Sequence, residues 1–391
     1  MNTRSMIATT WRRRGWLFSR LRPGHLWNYA LGAWHFVRRD ETVRSLPAVV
    51  KIDISPVCNL RCTVCVHADP SGIELLEKQD FRGEHRMTVE QFTKIIDQIK
   101  GRTATVSLYT WGDPLTHPDL DRMARIAADA GLQVHISTNF SFKLSDERLR
   151  SLVTSGLTHL TVCVDGLSQE KYEKTRVGGR IDWVLHNLRR VVELRRELGR
   201  EHPQVEMQFI KFQHNVDELE AARKLGAELG VENVADFWGA LHNYADREPE
   251  NYTTLRPKPR QTLPQCYWPH FSMVIKYNGD VIPCCEHRMA AQHMSGGDAR
   301  VFGNVFESSV ADVWNSKPYQ EARRIVSDPT SVDRDPSLKQ HFCDGCFVVF
   351  DTTMDAETGR WGDKHRWEDV FTKDKRGRVV RRPKAETGLP L

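Results

Sequence analysis

The chain has 391 residues, enough for more than one core, with 40% hydrophobic and 27% charged residues. Its net charge of +5 is too mild at this length to argue for nucleic acid, and no run of about 18 apolar residues suggests a membrane span. Nine cysteines grouped as CxxxCxxC and CxxC in a long chain point to metal ligation under reducing conditions, hence to the cytoplasm, rather than to disulfides.

Residues 1–47 form a basic, tryptophan-rich segment. Trp11, Trp16, Trp27 and Trp34 stand among Arg12, Arg13, Arg14, Arg20, Arg22, Arg38 and Arg39. The triple arginine is not followed by the apolar stretch of an export signal, because Arg20, Arg22 and His25 interrupt it. The segment is expected to be helical and to pack on the rest of the chain as a lid or bottom plug. Its second reading is peripheral contact with an anionic membrane.

Residues 48–240 alternate. Strands are expected at Val49–Ile54, Thr105–Tyr109, Gln133–Ser137, His159–Val164, Val205–Lys211 and Asn233–Trp238. Helices are expected at Val89–Lys100, Asp119–Ala130, Asp146–Thr154, Trp183–Leu198 and Asp217–Leu229, with Gly131, Gly156, Gly199 and Gly230 at their ends. This α/β alternation implies a parallel sheet with right-handed crossovers, either doubly wound or curled into part of a barrel. Residues 241–262, with Pro249, Pro257 and Pro259, read as a linker. Residues 263–350 hold the second cysteine group. Residues 351–391 read as a solvated tail or exposed hairpin, charged through Lys373–Pro383.

The first cysteine group, Cys58, Cys62 and Cys65, follows the first expected strand, from which Pro56 forces the chain out. It supplies three thiolates to a cubane that needs four ligands, leaving one iron open for a small chelating molecule. A zinc site would more often come as two CxxC pairs. The segment resembles the cluster loop of the radical S-adenosylmethionine (SAM) superfamily. That resemblance implies a partial (β/α)6, TIM-like barrel with a [4Fe–4S] cluster held by the three cysteines and completed by SAM. It also implies reductive cleavage to a 5′-deoxyadenosyl radical that takes a hydrogen atom from substrate.

Further motifs carry the resemblance. Trp111-Gly112-Asp113-Pro114 is similar to the GGEP motif that contacts the methionine ammonium, with Trp111 in place of the first glycine and Asp113 in place of glutamate. Ser137-Thr138-Asn139 is similar to the ribose motif. Arg176 stands where the family pairs an arginine with the SAM carboxylate, a match to its planar fork. Cys163 stands where the family has serine. As a thiol at a strand end it is a candidate hydrogen-atom donor, its bland reading being an inert buried thiol.

Cys266, the Asn278-Gly279 hairpin signal, Cys284, the Gly303-Asn304…Trp314 stretch and Cys343-x-x-Cys346 resemble the auxiliary-cluster domains called SPASM and twitch. With no further cysteines after Cys346, the twitch-like version is expected: one auxiliary [4Fe–4S] cluster on Cys266, Cys284, Cys343 and Cys346. The same four thiolates would also suit zinc. Cys285 is the spare thiol and a second candidate donor. The resemblance implies oxidation or epimerisation of a polyol, sugar, aminocyclitol or lipid-linked metabolite, fed by an electron donor such as flavodoxin or ferredoxin. The alternatives are a peptide-modifying maturase and a non-enzymatic iron–sulfur scaffold or electron carrier. Gln208, Lys211, His242 and Glu286 are candidate substrate contacts.

Overall fold

A computed structural model describes residues 20–65, 67, 85–239, 255–284, 301–339, 341–346, 348–352 and 366–383. His242, Cys285 and Glu286 lie outside the described residues. After a first helix, α1 (Pro23–Arg38), come β1 (Val49–Ile52), α2 (Val89–Ile99), β2 (Thr105–Ser107), α3 (Leu120–Asp129), β3 (Gln133–Thr138), α4 (Asp146–Thr154), β4 (His159–Cys163), α5 (Gln169–Thr175), α6 (Ile181–Glu197), β5 (Gln204–Lys211), α7 (Leu219–Leu229) and β6 (Asn233–Trp238). The local signals account for these elements. Thr88 and Gln91 cap α2 reciprocally, and its Val89, Phe92, Ile95, Ile96 and Ile99 are buried at helical spacing. Gly230 ends α7 in the left-handed region at φ 77°.

Strands β1 to β6 pair in parallel and in chain order, and the sheet stays open as a partial barrel. The same sheet runs on beyond β1. Strand β8 (Ser272–Ile275) pairs parallel with β1, from Val49↔Ser272 to Ile52↔Ile275, and turns through Asn278-Gly279 into antiparallel β9 (Val281–Ile282). The auxiliary hairpin therefore extends the barrel sheet instead of forming a detached unit. Between these, β7 (Leu255–Pro257) pairs antiparallel with β10 (Phe350–Thr352), so the end of the expected linker is a strand. Its backbone groups are satisfied by pairing at the far side of the auxiliary region.

Helix α1 lies under the amino ends of the strands. Asn28 exchanges two 2.8 Å hydrogen bonds with the backbone of Leu46, just before β1. Phe36 packs against His270 and Phe271, just before β8. Arg39 donates to the carbonyls of Thr262 and Ser327. At the other end of the chain, residues 366–383 form a short helix followed by the hairpin β11 (Phe371–Lys373) and β12 (Val379–Arg381). Trp367, Val370, Phe371 and Val379 are buried with Phe212, against Val64, Val177 and Ile210. This part of the expected tail is a hairpin, but a docked one. Its aromatic and branched residues have an apolar patch to cover.

Candidate functional site

The three cysteines sit on a loop stitched to the end of α5. Arg61 and Thr63 donate their backbone N–H groups to the carbonyls of Val177 and Thr175, each at 3.0 Å, and Cys65 N–H donates to Cys62 O at 3.0 Å. Asn59 bridges outward, its amide donating to Ser141 O at 2.8 Å while its oxygen accepts from Asn139 at 2.9 Å. Cys62 is buried; Cys58 and Cys65 are half-buried. Burial pushes the Cys58 and Cys62 thiols up, and for Cys58 the neighbouring charges of Asp113, Cys62 and Cys65 push the same way. A cationic cluster reverses that cost, so ligand deprotonation and cluster binding are one event. Among the described residues no three cysteine, histidine or carboxylate side chains converge tightly enough to hold one metal ion. Three thiols on one short loop are the donor set that would hold a [4Fe–4S] cluster with one iron left open.

The other motif residues gather around this loop. Asp113 is buried and turned into the protein. It accepts from the Thr138 hydroxyl at 2.9 Å, from Asn139 N–H at 2.8 Å and from Leu115 N–H at 3.1 Å. Burial pushes its carboxyl up to about 6, against the pull of those donors. It thereby locks the loop after β2 to the loop after β3. Asn139 Nδ2 lies 3.8 Å from Cys58 Sγ. Arg176, just past α5, donates Nε to Asp165 Oδ2 at 2.6 Å and brings Nη1 to 3.8 Å from Cys62 Sγ. Cys163 Sγ is 3.7 Å from both Ser137 Oγ and Gln208 Nε2. Gln208 thus joins the site. Lys211 does not: it has the opposite strand parity, pairs with Asp236 at 2.8 Å and lies over Trp238. Asp236 also binds Arg223 of α7, which puts Lys211 on the helix-covered side of the sheet.

Sequence reasoning missed several residues here. Asp165 orients Arg176. Asp53 is buried at the end of β1 with its carboxyl toward the N–H groups of residues 110–112 and the Lys276 charge; burial pushes it up to about 6. Lys276, just beyond β8, is itself buried and 3.6 Å from Asp280. Asp53→Ala is expected to cost about 1–3 kcal/mol, because the N–H groups of residues 110–112 lose their buried acceptor. Thermal unfolding reads this, and Asp53→Asn, which keeps an acceptor oxygen, should lose less.

Below Cys163 the inner face of the barrel is polar. His135 bonds Ser107 Oγ at 3.3 Å and Thr161 Oγ1 at 3.0 Å, Thr161 reaches His159 at 3.3 Å, and Lys51 lies 4.8 Å above the Tyr109 ring. The signal was a period of two: Gln133, His135 and Ser137 on β3, then His159, Thr161 and Cys163 on β4.

In the auxiliary region, Lys276 N–H and Asp280 O close the hairpin at 2.8 Å around Gly279, whose φ is 86°. Asn304 caps this turn by donating to Asn278 O at 3.0 Å. Trp314 is fully buried under the Arg323 guanidinium. Burial pushes the Cys266 thiol up to about 12, with Cys346 adding to it, while the buried Tyr319 feels Cys284 and Cys343. Gln265 N–H donates to Val326 O at 2.9 Å, which ties Cys266 to the helix that carries Tyr319. Cys266 thus lies near Cys346, and Tyr319 lies near both Cys284 and Cys343.

Residues 52–199 match the family model of the radical SAM superfamily, and residues 266–347 match that of SPASM, an iron–sulfur cluster-binding domain. The tungsten-containing aldehyde ferredoxin oxidoreductase cofactor-modifying protein of Pyrococcus furiosus is 24% identical over 359 residues, covering 82% of this chain and 93% of that protein. The PqqA peptide cyclase of Rhodopseudomonas palustris is 25% identical over 301 residues, covering 69% and 74%. Streptococcus suis SuiB, solved with the precursor peptide SuiA, shares the fold with a TM-score of 0.55 at 15% identity, covering 83% of this chain and 80% of that one. The chain belongs to the radical SAM superfamily and carries a SPASM iron–sulfur cluster-binding domain, and its cofactors are accordingly SAM, the [4Fe–4S] cluster that acts with it, and an auxiliary iron–sulfur cluster.

Proposed function

We propose that this enzyme takes a hydrogen atom from a polar, hydroxyl-bearing small molecule held in the barrel lumen, with oxidation or epimerisation of that carbon as the outcome. The observation that carries this reading is the polar inner face of β1 to β5, where Lys51, Ser107, Tyr109, His135, His159, Thr161 and Gln208 supply hydrogen-bonding groups that a hydroxylated substrate would need. When bound, the first cluster and SAM supply a 5′-deoxyadenosyl radical. The chain's residues orient and protect. Cys58, Cys62 and Cys65 hold the cluster, and Cys266, Cys284, Cys343 and Cys346 the auxiliary one. Arg176, aimed by Asp165, offers its remaining N–H groups to the SAM carboxylate. Ser137 and Asn139 flank the ribose. The carbonyls around Gly112 accept from the ammonium, since the Asp113 carboxylate is already committed to Thr138 and Asn139. An external one-electron donor such as flavodoxin or ferredoxin serves the cluster.

Cys163 divides the two outcomes. It lies between Ser137 and Gln208 on the lumen side, and burial pushes its thiol up, so it stays protonated. In an epimerisation its S–H bond would break, the hydrogen atom would go to the substrate carbon radical, and the thiyl left behind would take one electron, supplied by the external one-electron donor, and one proton from solvent. The test is anaerobic. The reconstituted enzyme is given SAM and reductant in D2O with a panel of polyols, sugars and aminocyclitols, and 5′-deoxyadenosine and product mass are followed. Loss of two hydrogens means oxidation, and Cys163→Ser should then leave product formation within about threefold. One non-exchangeable deuterium means epimerisation, and Cys163→Ser should lower it ~100-fold or more. Stimulation by peptides and by none of the panel would sink the small-molecule reading. It would favour the second one, peptide modification, which the similarity to a PqqA peptide cyclase supports.

A further inference from the structure

Helix α1 is built inside out. Its buried side chains are polar or absent: His25, Asn28, Gly32 and His35 face the barrel floor. Asn28 is tied to Leu46, His35 to Asp40 at 2.8 Å, and Gly32 sits against the Phe271 ring. Leu26, Trp27, Trp34 and Val37 point the other way, at 55%, 62%, 59% and 61% exposure. These are four of the nine large apolar side chains exposed among the described residues. With Ala30 and Ala33 between them, they fill one arc of about 120° at 100° per residue. Apart from Phe36, which packs on His270 and Phe271, the helix is held by its polar side and shows tryptophans to solvent, a reversal of the usual amphipathic order.

The electrostatics select what covers this stripe. The first 39 residues contain eight arginines and neither aspartate nor glutamate. Arg38 stacks over Trp34 at 5.6 Å, and exposed Arg22 stands at the other end of the helix. A tryptophan stripe with exposed arginines at both ends, Arg22 and Arg38 (the latter also 3.5 Å from Asp40), complements an anionic lipid surface, where indole rings settle at the headgroup level and arginines meet the phosphates. It suits a second copy of the same face poorly, since the arginines would repel. We propose that α1 docks this enzyme on an anionic membrane surface, stripe inward. The barrel mouth then faces away. α1 lies under the amino ends of the strands while the cluster loop and Arg176 lie beyond their carboxyl ends, so roughly 20 Å of strand separates the two. Docking in this orientation gives the mouth to the aqueous side, and this inference is independent of the substrate class.

Deleting residues 1–47 is a poor test, because Asn28, Arg39 and Glu41 also hold the fold together. The test uses the full-length, cluster-loaded protein and co-sedimentation with vesicles of phosphatidylcholine alone or with phosphatidylserine added. The expected result is binding at least tenfold stronger to the anionic vesicles, weakening with salt. The double variant Trp27→Ser/Trp34→Ser should lose at least tenfold while its circular dichroism, cluster absorbance and SAM cleavage match the parent. The proposal is overturned if the parent ignores anionic vesicles or if the double variant binds them unchanged. It is also overturned if the double variant turns a lipid-free dimer into a monomer, which would make the stripe a contact between copies. The same holds if removing residues 1–19 strengthens vesicle binding, which would make that segment the stripe's cover.

Discussion

Gly112→Ala is expected to abolish SAM cleavage and to destabilise the protein by about 3 kcal/mol or more. A methyl group there would stand 2.0 Å from Ser55 O and 2.7 Å from both Pro56 C and Val57 O. All three are backbone atoms of the segment leading into the cluster loop, so no side chain can yield. The loop after β2 would have to retreat. It carries Asp113, whose N–H donates to Val57 O at 2.9 Å and whose carboxylate holds Thr138 and Asn139. One methyl therefore disturbs the cluster loop, the ammonium loop and the ribose loop together. Gly199→Ala is the control. Its φ of 59° strains an alanine, but nothing lies within 4 Å of the added methyl. It should cost about 1–2 kcal/mol and leave turnover unchanged. Thermal unfolding and anaerobic 5′-deoxyadenosine formation separate the two. Equal behaviour of the two variants would show that close approach at Gly112 is not what shapes the site.

Trp367→Ala should release the carboxyl-terminal hairpin and expose the cluster loop. The indole donates to Lys174 O at 2.7 Å, lies 5.7 Å under the Lys174 ammonium and packs on Phe371. The patch it closes includes Val64, between two of the cluster cysteines, and Val177, next to Arg176. Removing a buried indole costs about 3–5 kcal/mol locally. That exceeds what a helix of four residues and one short hairpin can hold unaided. Hydrogen exchange across residues 366–383 should rise, and the visible absorbance of the first cluster should bleach several-fold faster in air. Trp367→Phe keeps most of the packing and loses one hydrogen bond, about 1 kcal/mol, so its bleaching should stay close to the parent's. A bleaching rate unaffected by Trp367→Ala would mean the hairpin does not shield the loop.

The extent to which this site was legible followed the range of the forces involved. Alternation of branched apolar runs with capped helices placed β1 to β6 and the main helices between them within a few residues, because strand parity and helix caps are local. The motifs after β1 to β4 were visible as groups because each motif is contiguous. What stayed hidden is long-range. Asp53 is one acid in an apolar strand until residues 110–112 and Lys276 close around it. Trp367 reads as one aromatic in a charged tail until Lys174 and Val64 supply its surface. Lys211 and Gln208 are both polar and three residues apart on one strand, and only parity with their neighbours separates the lumen residue from the one on the helix side. The polar lumen itself was present as a period of two that apolar counting passed over.

The pairing of β1 with β8 sets the order in which this protein can be completed during synthesis. β1 is an interior strand whose second neighbour, residues 272–275, leaves the ribosome about 220 residues after it. At about 5–20 residues per second that is a wait of ~10–45 s. Until then the strand that leads into Cys58, Cys62 and Cys65 has one side unpaired, a template for pairing with another nascent chain. A polypeptide ending at residue 262 would keep that open side permanently. The auxiliary region therefore also acts as the closing piece of the first one, and iron loading of the three cysteines before residue 275 is made would take place on an unfinished sheet.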